Sequence, residues 1–188
     1  MTRDQAIKLL HENMKNDNLR RHCYAVEAAM RALARYFGED EEKWGIAGLI
    51  HDADYEMTKE TAEKDHTKHV LEWLKELEAD TDVYDAVASH AWNYVDGAPQ
   101  PKSKMAWALY CCDELTGLIV AVALVKPDKR LASVSVDSVM KKWSSPSFAS
   151  GVNRDQIKEC KPRLRVELRE FVRVCLEAMQ GISKDLGL

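Results

Sequence analysis

The sequence predicts one all-α domain. Three observations carry that prediction. Gly and Pro are scarce, at 8 and 5 of 188 residues, too few for a loop-rich β architecture. Apolar residues recur at three- and four-residue spacing along most of the chain. No segment alternates convincingly with the period of two that a half-buried strand requires. The length favours a single domain, and 46% hydrophobic against 31% charged residues is the composition of a chain that builds a core.

The elements follow from caps and stripes. Thr2 and Gln5 form a capping box ahead of Ile7, Leu10 and Met14. A second helix over 18–37 carries Leu19, Cys23, Val26, Met30, Leu33 and Phe37, and Gly38 stops it. Asp40 caps a third, with Glu41 and Glu42 in the favourable first turn, ending near His51 and Asp52. Segment 53–64 is charged and irregular. A fourth helix is expected over 65–77 from Val70, Trp73, Leu74 and Leu77, and His66 falls at its start. Asp80 or Thr81 opens a fifth through Val83 and Val87 to Tyr94. The run Gly97-Ala98-Pro99-Gln100-Pro101 is a break, Ser103 caps a long helix to Val125, and Pro127 blocks its continuation. The stretch 127–153 is the least regular, with a short helix expected near 137–143. Asn153 with Gln156 makes another cap pattern, Pro162 suits a first turn, and Leu164 to Met179 give a final amphipathic helix.

Several function classes drop out. A formal net charge of −4 gives no electrostatic footprint for a nucleic-acid polymer, although nucleotides remain open as small ligands. The five cysteines are odd in number, hold no C-x-x-C pair, and read as core thiols in a reducing compartment. The N-terminus has no apolar signal region, and the longest apolar run is eight residues, Leu118 to Val125, against about 20 for a membrane span. A cytoplasmic protein without membrane contact is expected, as a monomer or a homodimer.

The informative residues are polar groups on apolar stripes. His22 stands four before Val26, His90 lies between Val87 and Tyr94, and Asp113 sits among Leu109, Tyr110, Gly117 and Val120. A buried, unpartnered carboxylate costs several kcal/mol, so Asp113 requires a cation or strong hydrogen bonds. His51-Asp52 follows the Gly48-Leu49-Ile50 run, and His66 and His69 lie further on. Each alone also reads as an ordinary core or boundary residue; their order and helical setting carry the weight.

In that order the chain resembles the HD-domain superfamily of metal-dependent phosphohydrolases. RRHCYAVEAAMRALARYFG is similar to the family's first-histidine helix, AGLIHDADYE to its His-Asp segment, and YCCDELTGLIVA to its final aspartate helix. HTKHVLEWL and VASHAWNY resemble the two extra histidine segments of a six-ligand, binuclear branch. The resemblance is strongest over 18–125, with a helical extension over 126–188, and it implies an HD-type helical bundle. The lysine and Gly-Tyr-Pro signature of the cyclic-dinucleotide phosphodiesterases are missing.

The resemblance implies that His22, His51, Asp52 and Asp113 hold one divalent ion. His66 and His90 would hold a second, with Asp52 bridging. Mn, Fe, Co, Ni, Zn or Mg would suit such mixed donors. His51 and Asp52 would then be catalytic, and a metal-bound hydroxide would attack the phosphorus of a small phosphoester, nucleotides included. A di-iron oxygenase would use the same ligands, and a non-catalytic metal- or nucleotide-binding sensor is a third reading. Among the cations near these motifs, Arg21 is the preferred substrate contact because it adjoins His22, followed by Lys68 and Lys126. Trp92 and Tyr94 can stack on a base or simply pack. Asp54 and Glu56 can orient ligands or form a plain acidic loop.

Overall fold

Two 21-residue helices, α2 (Asp17–Phe37) and α8 (Lys104–Leu124), form the centre of the fold. The computed structural model describes residues 1–188 and contains helices and turns without strands. Ahead of α2 lies α1 (Arg3–Asn13), closed by the expected Thr2–Gln5 capping box. Gly38 ends α2 in the left-handed region at φ +69°, where a residue without Cβ pays least. Then come α3 (Glu41–Ile50), α4 (Tyr55–Thr58), α5 (Ala62–Asp65), α6 (Lys68–Glu76) and α7 (Thr81–His90). After α8 the chain continues through α9 (Val136–Trp143), α10 (Arg154–Lys158), α11 (Cys160–Leu164), α12 (Leu168–Gly181) and α13 (Ser183–Leu186). One core runs from Ala6 to Leu186 and includes all five cysteines.

Packing of α3 on α2 positions the His-Asp segment. A Cβ on Gly48 would stand 2.8 Å from the Val26 carbonyl and 3.0 Å from the Glu27 Cα. A Cβ on Gly45 would meet the Arg31 side chain at 2.6 Å. The two glycines thus let α3 lie directly on α2, so that His51 and Asp52 emerge beside His22. Glu27, 5% exposed, is held between Arg3 at 2.6 Å and Arg31 at 3.0 Å, and Arg31 also reaches Glu42 at 2.7 Å. Those bonds tie α1, α2 and α3 together while satisfying a carboxylate that burial would otherwise penalise.

By length and composition α8 is apolar enough to cross a membrane. It is mostly buried here, packed on α2, α7, α10 and α12, which makes it the core helix of the domain. The eight-residue apolar run understates it, because Asp113 and Glu114 interrupt an otherwise apolar helix.

Three boundaries differ from the sequence expectation. The helix expected over 65–77 is broken at His66 and Thr67, where Thr67 adopts φ +73°, and α6 begins only at Lys68. The helix expected to reach Tyr94 ends at His90, and Asn93 turns the chain at φ +65°. The final helix is divided at Arg165, at φ +58°, into α11 and α12. Each break redirects the chain for tertiary packing that local periodicity does not encode.

Candidate metal centre

The ends of α3 and α7, the α5–α6 junction, the N-terminal third of α2 and the middle of α8 meet at one cleft of about 370 Å³. His22, His51, Asp52, His66, His90 and Asp113 all converge there. The His51 and His90 rings stand edge to face, 5.0 Å between centroids, as do those of His66 and His90.

Each ring is oriented by a bond on its outer nitrogen. The Nδ1–H of His51 donates to the Gly48 carbonyl at 2.8 Å, and that of His90 to the Val87 carbonyl at 2.6 Å. His66 Nδ1–H donates to Asp54 Oδ1 at 3.0 Å. His22 Nδ1 faces Thr116 Oγ1 at 3.4 Å, and that hydroxyl donates onward to the Asp113 carbonyl at 2.8 Å. With the proton fixed outside, the Nε2 lone pair points inward on all four rings, the arrangement that an acceptor bonded to the outer nitrogen imposes on metal-binding histidines.

The inward donors crowd around two carboxylates. His22 Nε2 is 2.9 Å from Asp113 Oδ1, and His51 Nε2 is 3.5 Å from both Asp113 Oδ1 and Asp52 Oδ1. His66 and His90 Nε2 lie 3.2 and 3.3 Å from Asp52 Oδ1, while Asp52 Oδ2 faces His22 at 3.7 Å. His66 Nε2 and His90 Nε2 face each other at 3.0 Å. Two lone pairs at that distance require a cation between them, a proton or a metal ion. His51 Nε2 is fully buried without a hydrogen-bond partner. The donors fit divalent ions, because ligand atoms held about 2.0–2.2 Å from one ion stand roughly 3 Å apart. The groupings His22–His51–Asp113 and His51–Asp52–His90 each place ligand atoms within 4.8 Å of one another.

The electrostatics match a cation site. Burial works against a charged His66, but hydrogen bonds to Asp52 and Asp54 outweigh it and lift its pKa to about 10. Burial likewise opposes a charged His51, and the Asp52 and Asp113 carboxylates raise it to about 9. His90 is pushed down by burial and by its charged neighbours. Asp52 and Asp113 are held below the usual carboxylate range: burial opposes ionisation, but the surrounding imidazoles prevail. Burial and the adjacent Asp113 raise Glu114 to about 7.

Asp54 orients the His66 ring. It is fully buried and accepts the backbone N–H groups of Thr67, His69 and Val70 besides His66. Glu56 instead accepts the N–H groups of Lys15 and Asn16, ahead of α2. His69 is half exposed and faces Glu72 and Trp73.

Several expected substrate contacts lie elsewhere. Lys68 extends into solvent and pairs with Asp65 at 2.9 Å, because α6 starts after a reversal that turns it outward. Trp92 packs edge to face on Trp107 at 5.8 Å and against Tyr110, since the helix has already ended at His90. Tyr94 lines the cleft instead. Lys126 lies in the turn beyond α8, its N–H donating to the Ala123 carbonyl, and is not part of the cleft wall. Arg21 lines a neighbouring groove with His22 rather than the cleft itself.

The sequence reading missed Tyr55, Glu114 and Gln156 in the cleft wall. Glu114 accepts the Asn153 N–H at 2.9 Å, and Gln156 donates to the Tyr110 carbonyl at 2.7 Å, so the start of α10 is pinned beside the centre. The Asn153–Gln156 cap signal marked this helix start without revealing what it covers.

Residues 19–116, just over half of the chain, match the HD domain. No curated protein matches the chain.

Proposed function

Because the chain belongs to the HD-domain family, whose members are generally metal-dependent hydrolases, we propose that it hydrolyses a small phosphoester, nucleotides included, with bound divalent metal. The observation that carries this reading is the convergence of four outward-tethered imidazoles and two carboxylates on one solvent-reached cleft. A purely structural cluster would satisfy its polar atoms internally; here the fully buried His51 Nε2 makes no hydrogen bond and has only carboxylate oxygens at 3.5 Å facing it.

His22, His51, Asp52 and Asp113 would hold one ion, and His66 and His90 a second, with Asp52 between them. Ions held there supply a hydroxide at neutral pH and offset the negative charge that develops on the phosphoryl oxygens. The chain's own contribution is orientation. Gly48, Val87, Asp54 and Thr116 fix the rings so that no reorganisation is needed when charge develops. Asp52 bears on all four histidines from a position only partly reached by solvent. Tyr55 and Tyr94 border the opening beside His66 and confine the bound phosphoester.

The test is phosphate release from a panel of phosphomonoesters, phosphodiesters and nucleotides, with Mn, Fe, Co, Ni, Zn and Mg supplied in turn. Turnover that requires metal and is lost in His51→Ala and Asp52→Ala supports the reading. Absence of turnover across panel and metals overturns it, and oxygen consumption with a di-iron signal replaces it with the oxygenase reading.

A further inference from the structure

We propose that the leaving group of the substrate is amphiphilic, an aliphatic body carrying a second anionic group, and that it lies in a groove running from the metal cleft past Gly117 to Arg21. This rests on the phosphoester reading above. The groove measures about 520 Å³, within the range of small-molecule sites, and shares His22 and Gly117 with the cleft. The two hollows adjoin at those residues, so a molecule whose phosphoryl group sits among the cleft donors would take its path past them into the groove.

Gly117 keeps that path open. It lies inside α8, where glycine costs about 1 kcal/mol relative to alanine. Close packing does not account for it, because an added Cβ would meet nothing nearer than Val152 Cγ2 at 4.0 Å. The missing side chain leaves free space at the junction of cleft and groove.

The walls indicate what enters. Beyond the junction they are Val120, Leu124, Leu186 and Leu188, with no aromatic ring on which a base could stack. Leu124 is 50% exposed, apolar surface that an aliphatic segment would remove from water. Arg21 supplies the charge. Its side chain has only Asn18 Oδ1 as a partner, at 3.5 Å, whereas Arg3, Arg31, Arg35 and Arg173 are paired with glutamates. The guanidinium lies against the turn at Gly187, where a Cβ would stand 3.2 Å from its Cζ. Exposed and without an acidic partner, that fork suits a carboxylate or a phosphate. Because Arg21 borders the groove and not the cleft, it addresses the far end of the substrate.

Calorimetry on the Mn²⁺-loaded protein tests this with ω-phosphonoalkanoates, from butanoate to octanoate, beside the matching alkylphosphonates and methylphosphonate. The best ω-phosphonoalkanoate is expected to bind about tenfold tighter than its uncharged match, the increment of one charge-assisted pair. Arg21→Gln should erase that difference and leave the alkylphosphonate within about twofold. Gly117→Val should weaken the long ligands and spare methylphosphonate. Equal binding of all three types, or a carboxylate advantage that survives Arg21→Gln, overturns the proposal. Hydrolysis of the corresponding phosphate esters separates the two readings. Turnover without preference for chain or charge removes the groove and keeps the hydrolase; ligand preference without turnover does the reverse.

Discussion

Asp54 Oδ1 lies 3.0 Å from His66 Nδ1, and through that bond a fully buried carboxylate decides which nitrogen of His66 faces the centre. The same side chain accepts the Thr67, His69 and Val70 N–H groups at 3.2, 3.1 and 3.3 Å. It therefore holds the strained Thr67 turn and the start of α6 as well as the ring. Asp54→Asn should lower metal affinity by roughly 10- to 100-fold, the usual cost of losing a carboxylate behind a ligand histidine. Competition with a fluorescent chelator measures this; unchanged affinity would remove Asp54 from the account.

Protons and metal ions compete for the inward lone pairs. His51 and His66, raised to about 9 and about 10, both hold protons at neutral pH that an incoming ion must expel. Metal affinity should therefore rise with pH up to about 10. At pH 7, titration calorimetry in buffers of different ionisation enthalpy should register about two protons released per chain. The metal-free protein should respond in the opposite sense at high pH. The stability these raised pKa values contribute is fully present below about 6.5 and is lost as pH climbs through 9 to 10. The depressed Asp52 and Asp113 lose theirs as pH falls below the ordinary carboxylate range. Metal uptake without proton release would contradict this.

Gly48 has two duties, contact with α2 and donation of its carbonyl to His51. Gly48→Ala sets a methyl group 2.8 Å from the Val26 carbonyl, a backbone atom that cannot rotate away. The expected cost is about 1–3 kcal/mol, with loss of metal because α3 must withdraw from α2. Thermal melts with and without Mn²⁺ give both numbers, and an unchanged melt would refute the close-approach argument.

Trp92 and Lys68 mark the limits of the site. Trp92→Ala removes a ring packed on Trp107 and should cost about 2–4 kcal/mol of stability while leaving metal content intact. Lys68→Ala breaks one exposed pair and should change stability by less than about 0.5 kcal/mol. Loss of bound metal in either variant would show that the boundary is drawn wrongly.

Much of the architecture was legible because caps and apolar stripes are local signals. Thr2, Gly38, Asp40, Ser103 and Asn153 act as their sequence contexts imply. His22, His90 and Asp113 stood out because polar groups on a buried stripe need a reason. The breaks were not legible. The chain leaves helical geometry at Thr67 because Asp54, thirteen residues away, captures its N–H. α7 stops at His90, so the helical stripe no longer decides which aromatic faces the cleft; Tyr94 does and Trp92 does not. The wall around Gln156 is tertiary, made when α10 docks on α8, and no spacing within either helix announces it.

The most direct test of the central claim is metal content by mass spectrometry, on tag-free protein purified without chelator, for wild type beside His66→Ala and His90→Ala. Wild type should carry about two divalent ions per chain, falling toward one in each variant. No metal in wild type after supplementation, from protein whose thermal melt is cooperative, would contradict it.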